Sequence, residues 1–272
     1  MIADSSLAQN ASTQWDPASY LKFARLRERP VVELLERIHL ELPQCIYDLG
    51  CGTGIATQLL AKRWPGAALT GVDSSAEMLA EAKCLPIKAL WQRRDLQGWH
   101  AEQPADLLLA AAVLHFIDGH HELLPRLLRQ LKPGGCFAAH MPNWRDAHWY
   151  CLMLDTLEDA GPGGVPLGTL QLRQAMSTRP VLSLDCYYRL LAPMTYEMDI
   201  WETEYLQVVQ GQSPIFDWVK VSALRPVLLA LNDQDRARFI YHYLERLRQV
   251  YPPESDGLTL FPFKRIFIVA RV

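Results

Sequence analysis

The sequence predicts an α/β fold built on a doubly wound parallel sheet, with a helical cap as an insertion. Three observations predict this fold class. Between residues 30 and 142, short apolar segments alternate with segments of helical periodicity, which is typical of βαβ units. A glycine-rich turn follows the first apolar segment, and two β-rich segments near the C-terminus are separated by about 60 mainly helical residues.

The first half begins with a predicted helix from Pro30 to Ile38, because apolar residues recur there at helical spacing and proline suits a first helical turn. Continuous apolar segments then predict buried parallel strands. The predicted strands span residues 45–49, 69–73, 89–93, 106–113 and 135–141, and the predicted helices between them span 55–63, 75–82 and 121–131. We expect His120 and His121, at the start of the last of these helices, to be exposed to solvent.

Beyond Pro142 the alternation stops, and helical segments dominate. Helices are predicted at 149–159, 170–176, 187–191, 216–224 and 234–251, and closing strands at 198–206 and 263–272. We therefore expect a single domain with four parts. These parts are an N-terminal helical lid (1–29), a cofactor-binding half (30–142), a helical cap (143–197 and 207–262), and the closing strands (198–206 and 263–272).

The composition limits the class of partner. The chain of 272 residues is 50% hydrophobic and 21% charged, with a net charge of −3 and no block of like charge, which argues against a nucleic-acid partner. No segment reaches the length of about 18 apolar residues that a membrane span needs, and the N-terminus lacks the pattern of a signal peptide. Because the charge pattern disfavours nucleic acid, we expect a small molecule as the partner. The six cysteines form no Cys-x-x-Cys pair, so we expect free thiols in a reducing cytoplasm and no metal site. The oligomeric state stays open, and a monomer is consistent with the sequence.

The glycine-rich turn between the first predicted strand and the helix after it is the most specific indication of a ligand-binding site. It reads Asp48-Leu49-Gly50-Cys51-Gly52-Thr53-Gly54. Glycines there let a ligand approach the backbone, and the helix N-terminus attracts an anion. The second strand ends in Asp73, whose carboxylate can accept both hydroxyls of an adenosine ribose, in NAD or in another nucleotide-like cofactor. The G-x-G-x-G spacing differs from the G-x-G-x-x-G of dinucleotide-binding proteins, so it disfavours NAD.

Further motifs follow in order along the chain. Asp95-Leu96 comes after the third strand, Ala111-Ala112-Val113 ends the fourth, and Leu131-Lys132-Pro133-Gly134-Gly135 leads into the fifth. Together with the glycine-rich turn, these segments resemble the motif set of class I S-adenosylmethionine-dependent methyltransferases. The resemblance implies S-adenosylmethionine as the cofactor. It also implies a Rossmann-like, mostly parallel seven-stranded sheet with an antiparallel last strand and a helical cap inserted after the fifth strand.

The same resemblance implies roles for the motif residues. The methionine part of the cofactor would lie against the glycine-rich turn, the ribose at the end of the second strand, and the adenine amino group at Asp95, while the end of the fourth strand would form the floor of the cleft. The implied cofactor-binding residues are Asp48, Gly50, Cys51, Gly52, Gly54, Asp73, Ser74, Met78, Asp95, Leu96, Ala111, Ala112 and Val113.

Motifs outside the cofactor-binding half narrow the resemblance to the trans-aconitate 2-methyltransferase family. The segments that carry it include Gln14-Trp15-Asp16-Pro17, Tyr187-Tyr188-Arg189-Leu190-Leu191, Asp199-Ile200-Trp201-Glu202-Thr203 and Phe261-Pro262-Phe263. The resemblance runs from Trp15 nearly to the C-terminus. It implies methyl transfer to a carboxylate of a small polycarboxylic acid, trans-aconitate, to give its monomethyl ester.

The chain departs from the family's pattern at Ala111, at residues 221–223, and at 143–144 and 148–150. These departures lie in or near the expected mouth of the active site. They keep another organic acid, or a carrier-bound acid, open as the acceptor. Two other function classes also stay open, namely a NAD-dependent oxidoreductase, which the glycine spacing disfavours, and a binding protein without turnover.

Esterification of a carboxylate needs no general base, because a carboxylate with a pKa near about 4 is already ionised at neutral pH. We therefore expect no catalytic residue that acts by proton transfer, and a rate that depends on desolvation and alignment. The other carboxylates of the substrate need cations, and the planar guanidinium of arginine suits them. The candidate substrate-binding residues are Tyr20, Arg27, Arg29, His115, Lys220 and Arg225. Of Lys264 and Arg265, which alternate along a predicted strand, at most one can point into a cleft.

Overall fold

The computed structural model describes residues 24–178 and 180–272. The chain divides into two compact units. Of the described residues, 24–142, 180–203 and 265–272 belong to the first, which we call the sheet unit, and 143–178 and 204–264 belong to the second, which we call the helical unit. The predicted N-terminal lid lies outside the described residues, except for its last six positions.

A seven-stranded sheet organises the fold. Its strands are β1 (Cys45–Leu49), β2 (Ala68–Asp73), β3 (Leu90–Arg93), β4 (Ala105–Ala111), β5 (Leu131–Pro142), β6 (Glu197–Val209) and β7 (Thr259–Arg271). Their order is β3-β2-β1-β4-β5-β7-β6. The first five strands pair in parallel, and β7 pairs antiparallel to β5, so the predicted fold class is confirmed. The strand order reverses between β1 and β4, and open α/β sheets bind ligands at the carboxyl ends of the strands beside such a switch point.

One face of the sheet carries the main hydrophobic core of the sheet unit. Residues of alternate positions along the strands, such as Tyr47 and Phe137, pack there against helices α4 (His120–Leu128) and α7 (Leu184–Leu191). Tyr187 and Leu191 of α7 are fully buried in this core. Residues 180–197, which were predicted to belong to the cap, therefore pack with the sheet, because α7 buries its apolar side in this core.

The opposite face is bordered by helix α1 (Ala24–Glu36), which packs against β5, and by α2 (Ile55–Arg63). The predicted start of α1 at Pro30 is wrong, because Pro30 lies inside the helix. A proline at that position cannot donate a hydrogen bond to the preceding turn, and burial of Val31, Leu34 and Leu35 offsets this loss.

Two predicted boundaries in the sheet unit shift by several residues. Helix α4 ends at Leu128 instead of residue 131, and β5 begins at Leu131 instead of residue 135. The register between β4 and β5 shifts between Ala105 and Leu107, so that the extra residues 132–135 form a bulge in the longer strand. Helix α3 (Ala76–Ala82) begins one residue after the predicted start, because Ser75 is its N-cap and the Ser75 hydroxyl accepts from the Met78 amide at 3.2 Å.

The helical unit is built around two long helices that pack against each other. Its helices are α5 (His148–Asp159), α6 (Leu170–Ser177), α8 (Pro214–Lys220), α9 (Arg225–Ala230) and α10 (Asp233–Val250). The Tyr243 hydroxyl of α10 donates to the Trp149 carbonyl of α5 at 2.9 Å, and Arg246 donates to Asp159 at 2.7 and 2.8 Å. The single helix predicted for residues 216–224 is wrong, since α8 ends at Lys220 and a proline at residue 226 starts α9.

No helix among residues 24–178 and 180–272 is both long enough and apolar enough to cross a membrane.

Candidate active site

The glycine-rich turn between β1 and α2 has a backbone that only glycine adopts easily. The φ angles of Gly50, Gly52 and Gly54 are +69°, +55° and +85°. A Cβ atom on Gly50 would lie 2.3 Å from Cγ2 of Val113, whereas nothing lies within 4 Å of a Cβ on Gly52. The turn therefore packs bare backbone against Val113 and leaves open space at Gly52, which allows a ligand to approach the backbone.

Asp48 precedes this turn, near the carboxyl end of β1, and its side chain is 1% exposed. The Thr57 hydroxyl donates to Asp48 Oδ2 at 2.5 Å, while Oδ1 is buried and accepts no hydrogen bond from the described part of the chain. Burial and the nearby charge of Asp73 raise the pKa of Asp48 to about 7, although the Thr57 hydrogen bond opposes this rise. A shielded carboxyl with a vacant oxygen is suited to pair with a cationic group.

Asp73 ends β2 and faces the same turn. Its Oδ2 accepts from the Gly52 amide at 2.8 Å, and its Oδ1 accepts from the Ser75 amide at 2.8 Å. Burial raises the pKa of Asp73, and these amide hydrogen bonds limit the rise. Each carboxylate oxygen has two lone pairs, so both oxygens keep the capacity to accept a hydroxyl. We call Asp48 and Asp73 the acidic pair.

Other predicted cofactor-binding residues lie in the glycine-rich turn, in the segments after β2 and β3, and in α3. Met78 and Leu96 are buried, Ser74 is exposed, and Asp95 is exposed with its Oδ1 accepting from the Gln97 amide at 2.9 Å. Burial raises the pKa of the Cys51 thiol, so Cys51 is a protonated, shielded side chain at neutral pH.

The segment after β4 has an unusual backbone. Ala112 has a φ of +57°, and it is the single non-glycine residue with a positive φ in the described ranges. Its amide donates to the His140 carbonyl of β5 at 2.8 Å. Strain of this kind persists where the surrounding structure holds it, and it clusters at functional sites. Ala111, Ala112 and Val113 are all half-buried, so a cleft floor at this point is sterically feasible.

A second group of polar side chains lies in the sheet unit, and we call it the basic cluster. It comprises Arg27, His115, His140 and Arg265. Arg27 lies on α1, His115 lies in a short 3-10 turn after β4, His140 lies on β5, and Arg265 lies on β7. Both histidines and Arg265 are at least 94% buried, with exposed fractions of 6%, 1% and 3%.

The register of β5 and β7 brings His140 and Arg265 together. His140 pairs with Phe267, and Arg265 precedes Phe267 by two residues, so both polar side chains lie on one face of the sheet. This is the face away from the main core, and Asp48 of β1 also points to it. Arg265 Nη1 is 3.4 Å from His140 Nδ1.

Electrostatics keep the two imidazoles of the basic cluster neutral. Burial, followed by the positive charges of Arg265 and Arg27, holds the pKa of His115 well below its ordinary value. Burial and then Arg265 do the same to the pKa of His140. The cluster therefore combines guanidinium charge with neutral imidazoles, an arrangement that attracts an anion.

Sequence reasoning missed His140, because a single histidine in an apolar strand gives no periodic signal. Arg265 gave a partial signal, since it interrupts the apolar residues of β7, and the structure shows it buried while Lys264 is exposed. The expectation that His120 is exposed to solvent is wrong. His120 is 1% exposed, and its ring nitrogens lie 2.7 Å from the Tyr187 hydroxyl and 2.9 Å from the Leu114 carbonyl, because the start of α4 packs on α7.

The remaining predicted substrate-binding residues are described by their own surroundings. Tyr20 is outside the described residues. Arg29 has an exposed side chain whose Nε is 2.8 Å from Glu33. In the helical unit, Lys220 Nζ is 2.6 Å from Asp217, and Arg225 is half-buried at the first position of α9. The structure therefore brings Arg27 and His115 together in the basic cluster and gives Arg29 an exposed surface position.

The departures from the family pattern between residues 143 and 150 form an aromatic group within the helical unit. The rings of Trp144 and Tyr150 stack with centroids 5.6 Å apart, and the Tyr150 hydroxyl donates to the Met176 carbonyl at 2.6 Å. Across 24–178 and 180–272, no group of three or more His, Cys, Asp or Glu side chains is arranged to hold a metal ion.

Comparisons with known proteins agree with this geometry. Residues 46–135 match the family model of a methyltransferase domain. A trans-aconitate 2-methyltransferase of Pseudomonas paraeruginosa is 68% identical over 95% of this chain and 94% of its own length, and one from an Azoarcus species is 41% identical over 94% of this chain and 98% of its own.

Solved structures of other methyltransferases share the fold. A phosphoethanolamine N-methyltransferase 2 of Haemonchus contortus, solved with phosphomonomethylethanolamine and S-adenosylhomocysteine, matches with a TM-score of 0.52 and 16% identity. The match covers 89% of this chain, and the chain spans about half (52%) of the length of that structure. At 16% identity, this structural similarity supports a shared fold and nothing more.

The sequence-based predictions of the methyltransferase class and of S-adenosylmethionine as its cofactor are confirmed at the level of the family, and a NAD-dependent oxidoreductase finds no support. The glycine-rich turn, the acidic pair and the identity of 68% over 95% of the chain lead to one assignment. The chain belongs to the trans-aconitate 2-methyltransferase family of S-adenosylmethionine-dependent enzymes.

Proposed function

We propose that the chain transfers the methyl group of S-adenosylmethionine to a carboxylate of trans-aconitate, giving a monomethyl ester. The observation that carries this proposal is the identity of 68% to a trans-aconitate 2-methyltransferase over 95% of the chain. The charges of the sheet unit support it, because an acidic pair suits a cationic cofactor and a basic cluster suits a polycarboxylate.

The residues of the glycine-rich turn would hold the methionine part of the cofactor. The buried Oδ1 of Asp48 would accept from the ammonium group, and the bare backbone of Gly50, Gly52 and Gly54 would allow close approach, with Cys51 shielding the turn. Asp73 would accept the ribose hydroxyls, with Ser74 and Met78 beside it. Asp95 and Leu96 would bind the adenine, and Ala111, Ala112 and Val113 would form the floor of the cleft.

S-adenosylmethionine supplies the reaction with a methyl group on a positively charged sulfur. Attack by a carboxylate cancels one positive and one negative charge, so the protein gains by keeping water away from both groups and by aligning them. The acceptor carboxylate is already ionised at neutral pH, so no proton has to be removed. The pKa values of His115 and His140, which burial and nearby positive charge hold well below the ordinary value, make both imidazoles weak proton acceptors, and this fits a mechanism that needs no general base.

The substrate would be held by cations on the sheet unit. Arg27 and His115 have the best-supported positions among the residues predicted from the sequence, because both belong to the basic cluster. Tyr20, Arg29, Lys220 and Arg225 stay predictions for the substrate. A small-molecule partner, a cytoplasmic location and the single-domain organisation likewise stay proposals.

A methyl-transfer assay with labelled S-adenosylmethionine tests the function. The panel of acceptors comprises trans-aconitate, cis-aconitate, citrate, isocitrate and a carrier-bound malonyl group. We expect the rate with trans-aconitate to exceed each of the others by at least about tenfold. The variant Asp73→Ala, purified in the same way, controls for a contaminating enzyme and should lose most of the labelling.

Preferential labelling of another acid would contradict the proposed acceptor and keep the methyl-transfer reaction. In that case, the departures from the family pattern at Ala111, at 143–150 and at 221–223 would account for the different substrate. Tight cofactor binding without labelling of any acid would contradict enzymatic function and favour a binding protein.

A further inference from the structure

Arg265 and His140 form a buried polar pair within the basic cluster. Arg265 Nη1 is 3.4 Å from His140 Nδ1, and both side chains lie on the sheet face that carries Asp48. Arg265 sits beside Pro142 in the register of β5 and β7, and β5 is parallel to β4. The pair therefore lies towards the carboxyl ends of β4 and β5, where sheets of this kind bind ligands.

The contact fixes the proton of the His140 ring. A guanidinium only donates hydrogen bonds, so His140 Nδ1 must accept, and the proton of the neutral imidazole resides on Nε2. This Nε2 atom is buried and has no hydrogen-bond partner within the described ranges. An N–H donor in that condition lacks the acceptor that buried polar groups normally have.

The charged groups around the two histidines favour binding of an anion, as the Nε2 donor does. Arg265, Arg27 and His120 lower the pKa of His115, and Arg265 and His115 lower the pKa of His140, so the groups of the described residues that act on the two rings are cationic when charged. The local field therefore favours an anion with planar oxygen acceptors. A carboxylate matches both the planar fork of arginine and an imidazole N–H.

We propose that Arg265 and His140 together bind a carboxylate of the substrate, one that does not receive the methyl group. A carboxylate that accepts hydrogen bonds from a guanidinium donates its electrons less readily, so this pair suits a carboxylate that anchors the substrate. The reacting carboxylate then stays free of strong donors. The inference rests on the proposed function, and it makes the pair a determinant of specificity for acids with more than one carboxylate.

The first test measures binding without turnover. Calorimetry with the full-length protein saturated with S-adenosylhomocysteine gives the affinity for trans-aconitate in wild type and in Arg265→Gln. We expect the variant to lose about 10- to 100-fold in affinity for trans-aconitate. Its affinity for S-adenosylhomocysteine should stay within about twofold, since no donor to the cofactor is removed. The matched control is Lys264→Gln, which removes the same charge from the neighbouring exposed position of β7 and should change neither affinity.

Substrate analogues, tested together with this variant, identify the group that Arg265 binds. An analogue of trans-aconitate with one non-reacting carboxylate replaced by a carboxamide should bind wild type more weakly, while Arg265→Gln should discriminate by less than about threefold between the acid and the amide. If each carboxamide analogue loses equal affinity in wild type and variant, Arg265 does not bind a substrate carboxylate. Loss of cofactor affinity in both Arg265→Gln and Arg265→Lys would also overturn the proposal, because it would show a structural role.

His140 has its own rescue test. His140→Phe removes the Nδ1 acceptor and the Nε2 donor, and we expect the KM for trans-aconitate to rise about tenfold with kcat nearly unchanged. His140→Asn restores an acceptor for Arg265 near the position of Nδ1 and should recover part of that loss. A fall in kcat with an unchanged KM in His140→Phe would overturn the binding role. Should wild type prefer a different acid in turnover, the same binding tests with that acid decide the role of Arg265 and His140 separately.

Discussion

The acidic pair and the basic cluster of the sheet unit carry opposite charges and arise from the sequence in different ways. Asp48 and Asp73 stand at the ends of neighbouring strands, 25 positions apart and beside a glycine-rich turn. The basic cluster instead draws its members from α1, the segment after β4, β5 and β7. A nucleotide-like cofactor uses a local motif, whereas the substrate region depends on side chains that only the folded sheet brings together.

The difference also concerns how each region holds its charge. In the acidic pair, backbone amides of Gly52 and Ser75 and the Thr57 hydroxyl support the carboxyl groups. In the basic cluster, Arg265 lies against an imidazole that is kept neutral. We therefore expect substitutions at the glycine-rich turn to affect folding and cofactor binding together, and substitutions in the basic cluster to affect substrate binding alone.

The largest effect is expected for Gly50→Ala. The new Cβ would overlap Val113 at 2.3 Å and would force a non-glycine residue to a φ of +69°. Strain and overpacking together should lower the free energy of unfolding by about 2–4 kcal/mol. Gly52→Ala, with open space around its Cβ and a φ of +55°, should cost only the strain of about 1–2 kcal/mol.

Urea denaturation of the full-length protein measures these changes. Gly66→Ala is the matched control, because nothing lies within 4 Å of its Cβ and its φ is not positive. Equal stability of the Gly50 and Gly66 variants would show that the turn is not packed against Val113.

Asp73→Ala should produce the next largest effect. It removes a carboxylate that the ribose hydroxyls would use, so the affinity for S-adenosylmethionine should fall by about 1–3 kcal/mol. Asp95→Ala serves as the comparison, because Asp95 is exposed and should contribute less. An unchanged calorimetric affinity in Asp73→Ala would remove the ribose assignment.

The pH dependence of cofactor binding isolates Asp48. Its pKa is raised to about 7 by burial and by Asp73, and a bound ammonium group would favour the ionised carboxylate. Binding should then release a proton below pH 7, so the affinity should fall by up to about tenfold per unit as the pH drops from 7 to 5. Calorimetry in buffers of different ionisation enthalpy measures the released proton.

Asp48→Asn provides the control for this pH dependence. Its cofactor affinity should be lower near pH 8 and nearly independent of pH between 5 and 7. The stability of the ligand-free protein gives a second readout of the same raised pKa, and it changes with pH in the opposite direction to the affinity. Because the folded state holds the proton more tightly, the contribution of Asp48 to stability should decline as the pH rises from about 4 to about 7 and should stay constant above that. A cofactor affinity that strengthens on acidification would contradict the assignment of Asp48.

The sequence was sufficient for the sheet and for the cofactor region, because strand periodicity and a glycine turn are local signals. Asp48 lies near the end of β1 and Asp73 ends β2, and the parallel pairing of β1 with β2 brings both to the same edge of the sheet. Pro30 was misassigned because packing of α1 outweighs the lost hydrogen bond of proline inside a helix. His120 was misassigned because its burial depends on α7, more than 60 residues later in the chain.

His140 shows why the substrate region was harder to predict. Nothing in the run from Gly135 to Met141 distinguishes it from a core position, and its chemical role follows from the antiparallel pairing with β7. Arg265 alternates with Lys264 along that strand, so the sequence could limit the choice to one of two and the fold decides it. The separation of a substrate region from a cofactor region in the sheet unit therefore depends on the tertiary structure.

Titration of two variants with two ligands tests most directly whether the acidic pair binds the cofactor and the basic cluster binds the substrate. Asp73→Ala and Arg265→Gln are each titrated with S-adenosylhomocysteine and then, at saturating cofactor product, with trans-aconitate. We expect Asp73→Ala to weaken the first affinity and preserve the second, and Arg265→Gln to preserve the first and weaken the second. Loss of both affinities in both variants would contradict the assignment of cofactor to the acidic pair and of substrate to the basic cluster.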